Sequence, residues 1–132
     1  MDVEILVSSI LKAHGFAVNP RVLTVRSTPI VVVDFHLDKA LLYTELDLKR
    51  GFAYNSNFYV NPANRHQGTG ARLIMAHEEI CREAELTILI NNNRNPALWR
   101  QQGYRRLNPF WQIQLARQLS VEFTKDSMYK KP

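Results

Sequence analysis

The most informative stretch of the sequence reads Val60-Asn61-Pro62-Ala63-Asn64-Arg65-His66-Gln67-Gly68-Thr69-Gly70-Ala71-Arg72-Leu73. A segment of strand composition ends at Val60, and residues at helical spacing follow the turn from about Gly68 to Glu83. A strand that feeds a helix through such a turn directs several free backbone N–H groups, and the positive end of the helix dipole, at one point. Gly68 lets the backbone approach a ligand closely, Gly70 permits tight packing of the first helical turn, and Arg65 adds a positive charge. The stretch therefore predicts an anion-binding turn, with a plain glycine-containing connection as the alternative.

Two common phosphate-binding patterns fit this stretch poorly. A dinucleotide fold requires a third glycine where Leu73 stands and an acidic residue where Asn91-Asn92-Asn93 stands. A nucleoside triphosphatase loop requires Lys followed by Ser or Thr where Ala71-Arg72 stands. Spacing therefore disfavours both.

Composition indicates one compact domain over residues 1–132, because 132 residues with 45% hydrophobic content suffice for one core. No apolar run approaches the length of a bilayer span and no basic leader precedes an apolar stretch, so we expect a cytoplasmic protein without a membrane partner. The net charge of +5 favours an anionic partner, either a nucleic acid or a phosphorylated small molecule. The single cysteine, Cys81, allows no internal disulfide and no metal site, and we expect it to be a core residue.

Periodicity predicts an alternation of helices and strands along the chain. The expected helices cover residues 3–14, 68–83 and 95–103; the expected strands cover 22–25, 30–35, 41–48, 52–60, 86–90 and 104–107, with a turn at 27–29. Residues 111–123 alternate, which favours a strand, although three of them would also form a helical stripe. We expect the last half-dozen residues to form a disordered basic tail. His77 falls on the apolar face of its helix and is predicted to be packed in the core.

The anion-binding stretch resembles the central signature of the GNAT N-acetyltransferase superfamily, Val-x-Pro-x-x-Arg/Gln-x-x-Gly-x-Gly/Ala before an amphipathic helix. Downstream, Ala97-Leu98-Trp99-Arg100-Gln101-Gln102-Gly103-Tyr104 is similar to a later family motif, in which an aromatic residue precedes Gly-Phe or Gly-Tyr by three positions. The resemblance implies an α/β fold with a GNAT-like mixed, mostly antiparallel sheet, splayed at its centre beside Val60 and flanked by helices. The cofactor-binding core would cover about residues 53–107.

The resemblance also implies an activity, the direct transfer of an acetyl group from acetyl-CoA to a primary amine. By the same comparison, Tyr59 and Val60 would pair with the pantetheine arm, Asn92 or Asn95 would hold its amides, and Trp99 would be a further cofactor-binding residue. The pyrophosphate would be bound by the backbone N–H groups of Gln67, Gly68, Thr69, Gly70 and Ala71, with Arg65 and His66 beside them.

The catalytic positions depart from the family pattern. Trp99 stands where the family commonly has a tyrosine as the acid for the leaving thiolate, and indole cannot supply a proton. Either Tyr104 or water substitutes, the thiolate leaves unassisted, or the chain binds CoA and catalyses poorly. The strand before the signature lacks the usual glutamate, so Glu45 and Asp47, on one face of strand 41–48, are the candidate base residues, acting through water or by attracting a cationic acceptor. The alternative for both is a solvated strand face.

The acceptor side also differs, since one helix precedes the first strand where the family usually begins with a strand followed by two helices. The acceptor pocket is then shallow, open, or completed by a second subunit in a homodimer, and the acceptor is a small molecule or a protein. Two rival functions remain: a GNAT-like CoA-binding or structural module with weak catalysis, and a basic nucleic-acid-binding protein with Trp111 and Tyr129 as exposed aromatic residues. Nucleic acid is not the partner that we expect.

Overall fold

The chain forms a mixed β-sheet with helices on both faces. A computed structural model describes residues 2–27 and 29–132. Its helices are α1 Val3–Ala13, α2 Thr69–Glu83, α3 Pro96–Gln101 and α4 Pro109–Leu119, and a 3₁₀ turn covers Pro62–Asn64. Its strands are β1 Leu23–Arg26, β2 Val31–His36, β3 Ala40–Asp47, β4 Phe52–Val60, β5 Thr87–Ile90, β6 Arg105–Arg106 and β7 Met128–Lys130.

Within the described residues the strand order is β1-β2-β3-β4-β5-β7-β6. Neighbouring strands are antiparallel, except that β4 and β5 are parallel. The mixed, mostly antiparallel sheet predicted from the sequence is therefore confirmed. The predicted turn at 27–29 includes Thr28, which lies outside the described residues.

The helices divide between the two faces of the sheet according to their apolar stripes. Helices α1 and α2 bury their apolar residues in one cluster with β2 and β3, as the helical spacing of the sequence predicts. Helix α4 packs on the other face in a second cluster with Tyr54, Leu89 and Val121. His77 and Cys81 of α2 are fully buried, as predicted. Burial lowers the pKa of His77 to about 4 and raises the pKa of Cys81, so both are neutral at physiological pH.

Helix α4 occupies a segment in which alternation favoured a strand, so that preference is wrong and the helical stripe is right. The Asn108 side chain accepts a hydrogen bond from the Trp111 N–H at 2.9 Å, and Pro109 lies in the first turn; both features begin helices. Leu115 and Leu119, one turn apart, are buried, whereas Trp111 is 51% exposed. Exposed apolar residues near the start of the helix therefore produced the misleading alternation.

The last residues form strand β7, so the prediction of a disordered tail is wrong. Strand β7 lies between β5 and β6 and pairs with both. Lys130 Nζ donates to Glu78 Oε1 at 2.8 Å and to the Gln102 carbonyl at 2.8 Å. Tyr129, expected to be exposed, is half-buried against the second cluster. These contacts are distant in sequence, which is why a three-residue strand has no readable local signal.

None of the helices in the described residues has both the length and the apolar character needed to cross a membrane.

Replacing Lys130 with alanine is expected to destabilise the protein, because the Glu78 carboxylate would stay in a nearly buried position without its cation. The free energy of unfolding should fall by about 2 kcal/mol, the scale of a hydrogen bond to a charged group. Urea unfolding followed by circular dichroism measures the change. Lys131→Ala is the matched control, since Lys131 is exposed; equal effects of the two substitutions would contradict a structural role for Lys130.

Candidate functional site

The parallel strands β4 and β5 separate soon after they begin. Their pairing is confined to Phe52 with Thr87 and Ala53 with Ile88. Strand β4 continues to Val60 while paired with β3 on its other side. Among the described residues, the edge of β4 that faces β5 therefore has no strand partner over its second half. Apart from the Val60 carbonyl, which accepts a hydrogen bond from Arg65, the backbone N–H and C=O groups on this edge are available to another extended molecule.

A β-bulge in β4 lies where the strands part. The register between β3 and β4 shifts between the Tyr43–Asn57 and Glu45–Tyr54 pairs, so two residues of β4 lie opposite one residue of β3. Asn55, in the bulge, has a φ of 51°, a left-handed conformation that asparagine tolerates better than most residues. A bulge bends its strand and increases the local twist. The bend thus turns the second half of β4 away from β5.

A pair of asparagine side chains bridges the two strands at this point. The Asn55 N–H donates to Asn91 Oδ1 at 2.8 Å, and Asn91 Nδ2 donates to Asn55 Oδ1 at 2.8 Å. Asn91 Nδ2 also donates to the Glu122 carbonyl at 3.2 Å, and Asn55 Nδ2 donates to the Glu45 carboxylate. Asn91 is buried, so its carboxamide replaces the strand pairing that ends here. No role is predicted for Asn91 from the sequence, in which the run of three asparagines after β5 is the only signal of this residue.

The turn after β4 leads into α2 without a side-chain cap. Asn61 Oδ1 accepts a hydrogen bond from the Ala63 N–H at 3.0 Å and shapes the 3₁₀ turn. Gly68 then occupies the N-cap position of α2 with a φ of 78° and, having no side chain, caps no N–H group. The first N–H groups of α2 and the positive end of its dipole consequently open to the surface. Arg65 Nε donates to the Val60 carbonyl at 3.1 Å, which holds the Arg65 side chain beside the turn.

A cavity of about 260 Å³ lies at this turn; we term it the anion cradle. Its lining consists of Val60, Asn64, Arg65, His66 and residues 68–71, and residues 65–68 are exposed rather than covered by other parts of the chain. Gln67 is exposed but does not contribute to the lining. The structure therefore brings together most of the residues that the sequence predicts around an anion.

The two glycines of the cradle differ in what a side chain at each position would disturb. A Cβ atom added at Gly68 would meet nothing within 4 Å, but the φ of +78° at Gly68 is one that other residues rarely adopt. A Cβ atom added at Gly70 would lie 3.6 Å from Val60 Cγ2, an ordinary van der Waals distance. Tight packing therefore does not require glycine at position 70, which corrects the expectation from the sequence.

A larger cleft of about 700 Å³ adjoins the cradle and follows the gap between the strands; we term it the splay cleft. One wall is residues 56–60 of β4, and the other includes Ile90, residues 92–95 and Trp99. Val60, Arg65, His66 and Gly70 line both cavities, so the two form one continuous groove. Tyr59, Asn92, Asn95 and Trp99, all predicted as binding residues, meet in this cleft. The Asn95 carboxamide also caps α3 by accepting a hydrogen bond from the Leu98 N–H at 3.3 Å.

Tyr104 lies behind the wall of the splay cleft and does not line it. Its hydroxyl donates to Glu78 Oε2 at 3.3 Å in the protein interior. Burial, together with the Glu78 carboxylate, raises the pKa of Tyr104 well above its usual range. The Trp99 ring stands between Tyr104 and Phe58, with centroid distances of 5.0 and 5.3 Å. The catalytic role of Tyr104 stays a prediction, and the position of the residue does not favour it.

Glu45 and Asp47 are placed beside the base of β4 rather than in the splay cleft. Asp47 is buried, and its carboxylate accepts hydrogen bonds from the Arg50 N–H at 3.0 Å and from the Tyr54 hydroxyl at 3.2 Å. Glu45 accepts a hydrogen bond from Asn55 and so supports the bulge. Their assignment as base residues stays a prediction; the structure does not bring either carboxylate to the cleft. Across the described chain, no group of three His, Cys, Asp or Glu residues is arranged to hold a metal ion.

Comparisons with known proteins agree with this geometry. The model of the acetyltransferase (GNAT) family matches residues 32–104, more than half of the chain. The structure is similar to that of a candidate acyl-CoA N-acyltransferase from Klebsiella pneumoniae subsp. pneumoniae, with a TM-score of 0.50 and 16% sequence identity over 97% of this chain and 87% of that one. At this identity, the likeness establishes the fold alone. No curated protein matches the chain.

Replacing Asn91 with alanine is expected to destabilise the protein, because the Asn55 N–H and the Glu122 carbonyl would lose their partner in a buried position. The free energy of unfolding should fall by about 2 to 3 kcal/mol. Asn92→Ala is the control, since Asn92 is exposed and its loss should change stability by less than about 0.5 kcal/mol. Urea unfolding of both variants provides the comparison. If the Asn91→Ala variant is as stable as the control, the pair of asparagine side chains has no role in stabilising the structure.

Proposed function

Because the chain belongs to the acetyltransferase (GNAT) family, we propose that it transfers an acetyl group from acetyl-CoA to a primary amine by direct attack. The observation that carries this proposal is the continuous groove formed by the anion cradle and the splay cleft. An anion-binding end that continues into a long gap between strands suits a molecule with a diphosphate at one end and an extended arm at the other. The proposal treats residues 1–132 as one domain.

The diphosphate belongs in the anion cradle. The free N–H groups at the start of α2, from Gly68 to Ala71, would donate to its oxygens, and the helix dipole adds a favourable potential. Gln67 would add its N–H from the exposed loop. The Arg65 guanidinium, already beside the turn through its bond to Val60, contributes a full positive charge.

The pantetheine arm belongs along the unpaired edge of β4. The backbone of Tyr59 and Val60 can pair with its amides as a β-strand would, because β5 no longer occupies that edge. On the opposite wall, the exposed carboxamide of Asn92 is available as a further donor or acceptor, while that of Asn95 is shared with the cap of α3. Trp99 packs at the inner end of the cleft, where the thioester would lie.

Acyl transfer requires a neutral amine, a donor to the thioester oxygen and a stable leaving group. The amine nitrogen forms a bond to the carbonyl carbon, the carbon–sulfur bond breaks, and the thiolate departs. Neither the indole of Trp99 nor the buried phenol of Tyr104 is suited to protonate it, so we propose that the thiolate leaves with water as its proton source. The proton of the amine passes to solvent, or through water to Glu45 or Asp47 if the acceptor reaches that side of the sheet.

The departures at these catalytic positions also favour a second candidate, a module that binds acyl-CoA and catalyses poorly. Release of free thiol from acetyl-CoA, measured with a panel of small amines and basic peptides, separates the two. Turnover with any acceptor well above the hydrolysis rate supports the transferase. Binding of acetyl-CoA without turnover on the whole panel supports the module.

Gly68→Glu is expected to abolish binding of acetyl-CoA, since a negative side chain would stand where the diphosphate binds. Gly51→Glu is a matched control: Gly51 also has a positive φ, +82°, with the nearest atom to an added Cβ at 4.0 Å, and it lies outside both cavities. The two variants should show similar losses of stability from backbone strain, roughly 1 kcal/mol. Isothermal titration calorimetry measures the affinity. Normal affinity in Gly68→Glu would exclude the cradle as the diphosphate site.

Trp99→Tyr is expected to raise kcat relative to Trp99→Phe, because the phenol hydroxyl can donate to the departing thiolate and the phenyl ring cannot. Both variants lose similar volume beside Phe58 and Tyr104, so the pair isolates the hydroxyl. The affinity for acetyl-CoA should be equal in the two variants. Equal kcat values would show that a hydroxyl at position 99 does not reach the leaving group.

A further inference from the structure

A chain of three buried polar side chains connects the interior of α2 to the splay cleft. His77 Nε2 lies 3.1 Å from Thr44 Oγ1, and Thr44 Oγ1 lies 2.8 Å from Ser56 Oγ. His77 and Thr44 are fully buried and Ser56 is 4% exposed, yet Ser56 lines the splay cleft. From the sequence, His77 is predicted to be a packing residue, and no role is predicted for Thr44 or Ser56. Three buried polar groups in contact with one another are costly unless their hydrogen bonds are satisfied.

The hydrogen bonds that link His77, Thr44 and Ser56 have one favoured direction from donor to acceptor. His77 is neutral because burial lowers its pKa to about 4, so one ring nitrogen carries a hydrogen and the other a lone pair. Nδ1 of His77 has no hydrogen-bond partner within the described part of the chain. A buried N–H without an acceptor is rarer than an unused lone pair, which puts the hydrogen on Nε2, within reach of Thr44 Oγ1 and of Cys81 Sγ at 3.7 Å.

That direction leaves the Ser56 hydroxyl with a free hydrogen. The Thr44 hydroxyl is fully buried, and once its oxygen accepts from His77, Ser56 Oγ is the acceptor that the described residues offer to its hydrogen. Satisfying that buried hydrogen favours donation from Thr44 to Ser56. In this arrangement Ser56 does not donate to Thr44, its only side-chain partner within the described residues. The Ser56 hydrogen is therefore available to a group bound in the splay cleft.

The position of Ser56 indicates which group that is. Ser56 lies four residues before Val60, roughly 13 Å along the strand at the usual rise of a β-strand. The anion cradle begins at Val60, so Ser56 is at the end of the cleft remote from the phosphates. The ring of Phe58, which also lines the cleft, lies 5.1 Å from the ring of His77 and adds an apolar surface at this end. In acetyl-CoA, the thioester is the end of the arm remote from the diphosphate.

We propose that Ser56 donates a hydrogen bond to the carbonyl oxygen of the bound thioester, and that Thr44 and His77 are positioning residues that fix its hydroxyl in that direction. This inference rests on the proposed function. The serine keeps its proton throughout; it stabilises the negative charge that grows on the oxygen while the amine attacks. Serine is not the nucleophile, because Thr44 separates it from His77 and the imidazole donates along the chain instead of accepting.

The direct test is the carbonyl stretching frequency of bound acetyl-CoA labelled with ¹³C at the thioester carbonyl, measured by infrared difference spectroscopy. The wild-type protein should lower the frequency relative to the free thioester, and Ser56→Ala should return it towards the free value. Ser56→Thr, which keeps a hydroxyl, should preserve the shift. The same frequency in wild type and Ser56→Ala would overturn the proposal, and this readout does not depend on turnover.

Kinetics provide a second test with a matched pair of variants. Ser56→Ala should lower kcat roughly 100-fold, the scale of losing one oxyanion donor, while KM for acetyl-CoA stays within about 2-fold. Thr44→Val keeps the shape of the side chain and should lower kcat in the same direction with unchanged KM, and Thr44→Ser should restore it. Thr24→Val, at an exposed position of β1, should change neither.

The proposed function and the role of Ser56 can be overturned by different results. If the wild-type protein does not bind acetyl-CoA, the proposed function falls, and the assignment of Ser56 with it. If the wild-type protein binds and turns over acetyl-CoA but Ser56→Ala has the same kcat and the same carbonyl frequency, the proposed function stands and only the assignment of Ser56 is overturned. An acyl-serine detected at Ser56 by mass spectrometry would also overturn it.

Discussion

The site depends on the point at which β4 stops pairing with β5, and that point is set by the exchange of hydrogen bonds between Asn55 and Asn91. A bulge bends β4, and the Asn91 carboxamide satisfies the backbone N–H that the lost pairing would have left buried and unsatisfied. Without such a bridge, two parallel strands gain hydrogen bonds by staying together, and the gap would close. With it, the sheet keeps a permanent opening in its middle.

The opening has a chemical polarity that follows from the order of the elements. At the outer end, β4 gives way to α2, where uncapped N–H groups and Arg65 form a positive site. At the inner end, the packed rings of Phe58 and Trp99 form an apolar wall, and Ser56 lines the same cleft. The groove therefore has a positive environment at one end and an apolar one at the other. One strand, β4, lines it from Ser56 to Val60, so the bend of that strand shapes both ends.

The sequence predicts the features of the site that are formed by residues adjacent in the chain. It does not predict the contacts between residues that are far apart in the chain. The strand, the turn and the helix around Gly68 are adjacent in the chain, and their spacing alone predicts an anion-binding turn. Asn55 and Asn91 are separated by 36 residues, and Thr44 and His77 by 33, so their contacts exist only after the sheet has formed. The same reason explains why the strand at the end of the chain is missed, because β7 has too few residues to signal a strand without β5 and β6. It also explains why the sequence does not reveal that Glu78 and Lys130 lie against Tyr104.

The two cradle glycines look equivalent in the printed sequence but tolerate different replacements. At position 70 a methyl group would lie at a normal distance from Val60. Small side chains are therefore compatible with the backbone there, and such substitutions would not disturb the fold. At position 68 the constraint is torsional, and only residues that accept a left-handed backbone, such as asparagine, can stand in for glycine. The backbone of the cradle therefore restricts the residue at position 68, where most side chains would strain it, and does not restrict position 70 in the same way.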